Sequence, residues 1–594
     1  MLHADDEADD HHQDSDYYGN LITRCDSATG GLTSSDHGEY GDGRPSIGSY
    51  FEVMGARTAK YAHVSITNDG TNPTNSGKLT IAEQLKAIVK LGFPNMIERF
   101  SGFVPGFMLL VFVGSLGPDE IAGAGMGFMV GNVSGISIII GFSLGLPPLA
   151  SQSYGAGSFE RCGLLLQRQL LLHLMVVVPP IAAMWWWSEA ILLTLGQPPA
   201  IAALTAEFLL MRLPSLPLLC VSEDLSNFLK AQRVMVPTMV LMLVTNLASI
   251  PLSWYFIADC SRGGLGLGFK GGPIALTISN AVQCAAMCCM TRGWLGEDRT
   301  WPDWSFQAAL SGWQEILAVS LPAAFMVWVE WWAFEVNLFL AGLLCSDPSD
   351  DRGSELLEAT SSHHAGFRNT TAISTSLQRG LEGDGAEEIT CLELDVFPVL
   401  SNTLALMFFL HFGFTIGAST QVGNLIGAGQ PQQARVAAVA NLVFVVSISL
   451  TAAASLFYNR QRWPMLFSNN AEVQAMVTKS IPVICMYMPL DALGPGALNT
   501  LLRTLNHVHA PAAINAVAFY VIGIPLGCYL SFGSPDMGIR GLWLGLIAGT
   551  AFMDSGLLSI FFRIDWGETA RFARKRAMQD EGEEGGFESE GEGE

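Results

Sequence analysis

Charge is what this chain has least of. Only 14% of its residues are Asp, Glu, Lys or Arg, against roughly 25% in an average soluble domain. That deficit excludes an ordinary water-soluble globule and points to a chain that spends most of its length in lipid. Basic residues are the scarcer kind, 31 Lys and Arg against 54 Asp and Glu. The excess acid is concentrated in the two tails and one internal stretch, so the formal charge of −23 carries no message about partners, and no nucleic acid is expected. Cysteines form no repeated metal spacing; Cys284, Cys288 and Cys289 fall in an apolar run where packing explains them. Met1 to Asp36 has no apolar core, so no cleavable signal peptide is read. No nucleophile–base set and no His/Cys/Asp cluster stands at one depth, which speaks against an enzyme and against a bound metal or cofactor.

Long apolar runs are abundant. They succeed one another near 88–114, 121–148, 164–187, 201–222, 237–258, 272–291, 315–344, 394–415, 434–457, 478–502, 511–532 and 541–562. Each is close to the roughly 20 residues that cross a bilayer as a helix. The expectation is an all-α membrane protein of twelve spans. Trp185, Trp186 and Trp187 close the third span as an interfacial belt. Residues 1–80 are acidic and poor in aliphatics, the composition of a disordered tail, where His11 and His12 are simply solvated. Residues 346–390 form a second polar, disordered insert with a sequon at Asn369; Cys345 and Cys391 bracket it, as a disulfide or as free thiols. After the last span, 563–594 is first basic, suited to anionic headgroups, and then almost all Glu and Gly.

Lys and Arg set the orientation. Lys86, Lys90, Arg161, Arg168, Lys230, Arg233, Arg292 and Arg299 alternate with loops that carry almost none, and Arg571, Arg574, Lys575 and Arg576 follow the last span. The positive-inside rule therefore puts both termini in the cytosol and the insert outside or in a lumen. Arg460 and Arg462 run against the pattern. The chain also repeats itself. Tyr154-Gly-Ala-Gly157 echoes Ile426-Gly-Ala-Gly429, Pro237 and Pro251 match Pro511 and Pro525, and Pro94 matches Pro322. Two six-helix lobes are expected, 87–292 and 313–562, joined by a cytosolic linker at 293–312. Parallel repeats of this kind favour a carrier that rocks around a central substrate site.

Inside the spans, ionisable residues stand out because each costs several kcal/mol and must face protein or a wet cavity. Glu330 and Glu335 sit mid-span in Val-Trp-Val-Glu-Trp-Trp-Ala-Phe-Glu-Val, roughly 140° apart on an ideal helix. Asp491 sits among Pro489, Gly494, Pro495 and Gly496, where the backbone is loosened. These three are the candidate proton or cation-coupling residues, against the alternative of neutral or locally tied carboxyls. Trp328, Trp331 and Phe334 suit stacking on a cation, although packing is the commoner use, and Asn402 suits a cavity contact. Glu98, Arg99 and His411 read as structural, His411 as a hydrogen-bonded core group.

Val329-Glu-Trp-Trp-Ala-Phe-Glu335 resembles the seventh-helix motif of eukaryotic MATE (multidrug and toxic compound extrusion, DETOXIFICATION) transporters. Gly417-Ala-Ser-Thr-Gln-Val-Gly-Asn424, Leu195-Gly-Gln-Pro198, Ala231-Gln-Arg-Val234 and Trp304-Ser-Phe306 add to the likeness, which covers about Leu91 to Phe562. The resemblance implies the MATE-like, MOP-type fold in two lobes. It also implies antiport of organic cations or other xenobiotics against protons, with sodium the second choice, in a monomer in the plasma membrane or a vacuolar or other organelle membrane. The family's helix-seven carboxylates fall on Glu330 and Glu335 and its helix-ten carboxylate on Asp491. The bacterial branch has an Asp late in helix one, where this chain has Leu109, Leu110 and Val111, which argues against a first-lobe ion site. Animal members carry a Glu in helix eight, where Asn402 stands. An organic-anion exporter or a flippase on the same architecture is the alternative, disfavoured by the few basic residues seen at mid-span.

Overall fold

The computed structural model describes residues 80–294, 300, 304–344, 392–468, 470–534 and 536–588. The expectations for the tail before residue 80, for the Cys345–Cys391 insert and for the last six residues fall outside them. Among the described residues every regular element is helical. Eleven helices are long and apolar enough to cross a membrane, and a pair bent by 53° makes the twelfth. They are α1 (Ile81–Val113), α2 (Pro118–Ala156), α3 (Phe159–Trp186), α4 (Pro199–Arg212 and Ser215–Ala231), α5 (Val236–Ile257), α6 (Gly268–Arg292), α7 (Trp313–Leu343), α8 (Val396–Gly427), α9 (Pro431–Tyr458), α10 (Ala471–Thr504), α11 (His509–Phe532) and α12 (Ile539–Arg563). A further helix, α13 (Trp566–Glu588), follows the last span.

Proline explains most departures from straight helices. Pro214 has no N–H for the Leu210 carbonyl, and α4 bends there. Single π-helical turns interrupt α3 at His173–Val177, α10 at Ala492–Leu498 and α11 at Val517–Gly523, beside Pro179, Pro495 and Pro525. The α4 bend also corrects the sequence reading. The fourth span was expected to end at 222, but its helix runs on to Ala231, so Glu223, Asp224 and Lys230 lie inside it rather than in a loop.

Two large hydrophobic cores form, beside a smaller one that includes Leu109, Val113, Phe208 and Ile257. One gathers residues of α7 to α12, the other residues of α2 to α6 together with Ile316, Val319 and Ala324 of α7. The entry half of α7 thus packs in the α2–α6 core, and Ile88 of α1 packs in the α7–α12 core. This exchange follows the repeat. The register that puts Pro94 on Pro322 puts Gly92 on Ser320 and Met96 on Ala324. The register that puts Gly157 on Gly429 puts Gly145 on Gly417 and Gly141 on Gly413. In the structure Gly145 and Gly141 abut Ser320 and Ala324, while Gly417 and Gly413 abut Gly92 and Met96, so α2 on α7 and α8 on α1 are the same contact made twice. Between α2 and α8, Gly155 lies on Asn424 and Gly427 on Gln152, again a reciprocal pair. Neither glycine leaves room for a Cβ.

Polar contacts between the lobes gather at the end where α1 begins and α2 and α8 finish. Gln421 Nε2 donates to Gln84 Oε1 at 3.0 Å, Arg233 Nη2 to Gln421 Oε1 at 2.6 Å, and Gln152 Nε2 to the Thr504 carbonyl at 2.7 Å. Arg161 pairs with Glu315 at 2.6 Å. Across this end lies α13. Its Arg576 donates to Gln152 Oε1 at 3.0 Å, and its Ala577 carbonyl accepts from Ser158 Oγ at 2.9 Å. The basic stretch therefore presses one face on protein, where Ala570, Ala573 and Ala577 are buried, and the helix continues through acidic residues expected to be disordered. Trp186 and Trp187 are exposed as a belt should be, but Trp185 is buried with its indole donating to Ser134 Oγ at 3.0 Å.

Candidate functional site: carboxylates in the second lobe

The π turn of α10 makes the site. Pro495 cannot donate to the carbonyl of Asp491, four residues earlier, so the backbone opens where the carboxylate is attached. Asp491 is 3% exposed, and its Oδ2 lies 3.9 Å from Nε2 of His411 on α8. Glu330 on α7 is within electrostatic reach of Asp491 and of Arg503, a buried residue one helical stretch further along α10. A third carboxylate joins them. Asp554 on α12 is 4% exposed, its Oδ1 lies over Gly494 inside the π turn, and neither of its oxygens has a hydrogen-bond partner among the described residues. Tyr487 stands between, within reach of Asp491, Glu330 and Asp554, with its hydroxyl beside Thr550. Four helices thus turn three acids, a phenol and an imidazole toward one another in the apolar interior of one lobe. Acids at that depth must face protein or a wet cavity rather than lipid.

Of the residues singled out in the sequence, the structure brings Glu330 and Asp491 together. Glu335 is apart: neither of the others acts on it. Trp328 is engaged with the first lobe, its indole donating to the Ser137 carbonyl at 3.2 Å and its ring 6.2 Å from that of Phe142. Phe334 packs edge-on against Tyr487 and beside Trp543. Trp331 is 41% exposed and Asn402 is exposed near the entry of α8, so neither lies with the carboxylates. His411 is buried in the core as expected, but its Nδ1 has no hydrogen-bond partner among the described residues and its Nε2 stands 3.9 Å from Asp491. Asp554, Arg503 and Tyr487 were not read from the sequence, although Asp554 carries the same signal as Glu330, one acid inside an apolar run. Two cavities of about 460 Å³ lie elsewhere, one lined by Met407, Asn459, Arg462 and Trp463, the other by His507, Asp565, Glu568 and Arg576. Among the described residues no three His, Cys, Asp or Glu are placed to hold a metal ion.

The first lobe arranges its charges differently. Lys230 Nζ meets Glu98 Oε1 at 2.5 Å, Arg99 Nη2 meets Glu223 Oε1 at 3.4 Å, and His173 Nδ1 meets Asp224 Oδ2 at 2.7 Å. Every acid of this group has a named partner. The expected structural role of Glu98 and Arg99 agrees with this pairing.

A family model described as MatE matches residues 94–255 and 392–529, one segment in each lobe. The chain belongs to the MatE family. As a MatE chain it is similar to Protein DETOXIFICATION 48 of Arabidopsis thaliana, 27% identical over 503 residues, 84% of each chain. It is also similar to mouse Multidrug and toxin extrusion protein 1, 26% identical over 495 residues, 83% of this chain and 78% of that one. Among solved structures the eukaryotic MATE transporter AtDTX14 superposes with a TM-score of 0.71 at 24% identity, covering 84% of this chain and all of the other. The MatE assignment makes this a multi-pass membrane transporter of the multidrug and toxin extrusion type, and the superposition accounts for its twelve-span, two-lobe fold.

Proposed function

We propose that the protein is a proton-coupled antiporter that exports organic cations, xenobiotics or metabolites by alternating access of its two lobes. The observation that carries the reading is the acid-rich group of the second lobe: Glu330, Asp491 and Asp554 converge at the opened backbone of α10, with one cation, Arg503, facing Glu330. A net negative charge at that depth calls for a positive guest. A proton and a cationic substrate compete for it, so protons entering from outside displace substrate outward, and their release to the cytosol regenerates the site. Orientation by the positive-inside rule puts the end spanned by α13 in the cytosol. The seal there, through Gln84, Gln152, Gln421 and Arg576, supports an outward-open resting arrangement.

The test uses the full chain in proteoliposomes loaded with a fluorescent organic cation, under imposed proton and sodium gradients. Efflux is expected with the proton gradient and to collapse in Glu330→Gln and Asp491→Asn. Unchanged efflux in both variants defeats the assignment. A wild type that moves only organic anions favours the anion-exporter alternative.

A further inference from the structure

The second lobe does not hold all of the exchangeable charge. The first-lobe cluster has a fixed count: three acids, Glu98, Glu223 and Asp224, against two permanent cations, Arg99 and Lys230. Those cations are taken by Glu98 and Glu223. Arg212, the next buried cation of the lobe, lies against the rings of Phe128 and Phe208, about 5.7 and 5.8 Å from their centres, and does not act on this cluster. Asp224 is left with His173, both side chains fully buried. With a neutral imidazole the cluster carries one negative charge inside the membrane; one added proton makes it neutral. An isolated charge at that depth is expensive, so the surroundings must be able to supply the proton.

The geometry points to the His173–Asp224 couple as a proton-binding site in the first lobe, which takes up and gives back one proton in the transport cycle. In the present arrangement Nδ1–H of His173 donates to Asp224 Oδ2, while Asp224 Oδ1 accepts from Ser143 Oγ at 3.1 Å. Nε2 faces Gln169 Nε2 at 3.4 Å and accepts from it. The added proton goes to Nε2. Gln169 Oε1 is buried and has no hydrogen-bond partner among the described residues, so turning that amide gives the new N–H its acceptor. The other groups facing the couple are Glu223 and Cys220 on its own helix half and Phe142 on α2, whose ring lies 6.5 Å from His173. His173 opens the π turn of α3. Phe142 also packs on Trp328, two residues before Glu330, which joins the couple to the helix carrying the second-lobe acid. The coupling half of the proposal rests on the antiporter reading.

Two measurements on the full chain test it. In the first, ¹⁵N-histidine-labelled wild type is titrated by NMR, the His173 signal being the one lost in His173→Asn. It is expected to pass reversibly between the neutral and doubly protonated forms as the pH is lowered, and to change in Asp224→Asn. A signal fixed in the neutral form throughout overturns the site whatever the transport result. In the second, the substrate gradient that just stops proton-driven flux is measured in proteoliposomes for wild type and His173→Asn. The variant is expected to couple one proton fewer per substrate; an equal number overturns the coupling role. A wild type whose His173 titrates but which shows no proton-driven flux sustains the site and defeats the antiporter reading.

Discussion

The two lobes share a backbone and differ in how they treat charge. The register that puts Pro94 on Pro322 puts Glu98 on Met326 and Gly102 on Glu330. The register that puts Pro237 on Pro511 puts Asp224 on Leu498, Pro217 on Asp491 and Asn280 on Asp554. No acid of one lobe falls on an acid of the other, although the glycine contacts between the lobes are duplicated residue for residue. The first lobe spends its ionisable groups on one another at 2.5 to 3.4 Å. The second leaves Asp554 without a hydrogen-bond partner among the described residues and Asp491 at 3.9 Å from His411. Paired charges of opposite sign, such as Glu98 with Lys230, hold helices together, and an acid without such a partner is open to a positive guest. The repeat thus fixes how the lobes meet and leaves each free to hold different chemistry.

The contrast breaks most sharply if the second-lobe acids turn out to be structural. Asp491→Asn keeps size and removes the charge, and is expected to lower proton-driven efflux roughly tenfold or more. Its thermal midpoint in detergent is expected to stay at or above wild type, because a buried charge without an ion pair is itself a cost. A marked fall in midpoint without specific loss of flux reverses the assignment of the two lobes.

Glu98→Gln probes the opposite side. Its partner Lys230 is 3% exposed and loses its closest counter-charge, with Glu223 alone still acting on it, which costs up to about 3–5 kcal/mol. The midpoint is expected to drop by several degrees, and replacing both partners together, Glu98→Leu with Lys230→Met, to restore most of it. Failure of the double variant to recover assigns the pair a role beyond packing.

Much of this division was legible beforehand, and the gaps have physical causes. Periodic apolar length finds helices well, and Pro94, Pro322, Gly157 and Gly429 report the repeat because each marks a backbone feature that must be copied; both glycines sit at positive φ, ending α2 and α8. Glu330 and Asp491 were visible because they stand alone in long apolar stretches. Glu223 and Asp224 were not, because Pro214 divides α4 and a window of one bilayer thickness ends at residue 222, which turns membrane acids into apparent loop acids. Lys230 was misread for the same reason. Which acids meet which bases is set by packing between helices, and no spacing along the chain encodes it.

Asp554→Asn tests whether the third acid belongs with the other two. Efflux is expected to fall severalfold, less than for Asp491, because Asp554 sits behind Gly494 rather than at the head of the π turn. The flux ratio of the double variant Asp491→Asn with Asp554→Asn to Asp491→Asn alone should be near one if both serve a single guest, since residues acting as a unit are not additive. A double variant whose losses multiply separates Asp554 from the site.

The smallest effect is expected at the rim of the first-lobe cluster. Arg99 and Glu223 meet at 3.4 Å with side chains 25% and 19% exposed. The pair is less enclosed than Lys230 and Glu98, whose side chains are 3% and 5% exposed, so Glu223→Gln is expected to cost at most about 1 kcal/mol. That is a fraction of the Glu98→Gln loss, although the two substitutions remove the same charge from the same cluster. Thermal unfolding of the two variants side by side reads the difference. Equal losses mean that exposure does not grade these pairs and that the cluster acts as one network, in which case the count of three acids against two bases governs stability as a whole and Asp224→Asn should stabilise the lobe.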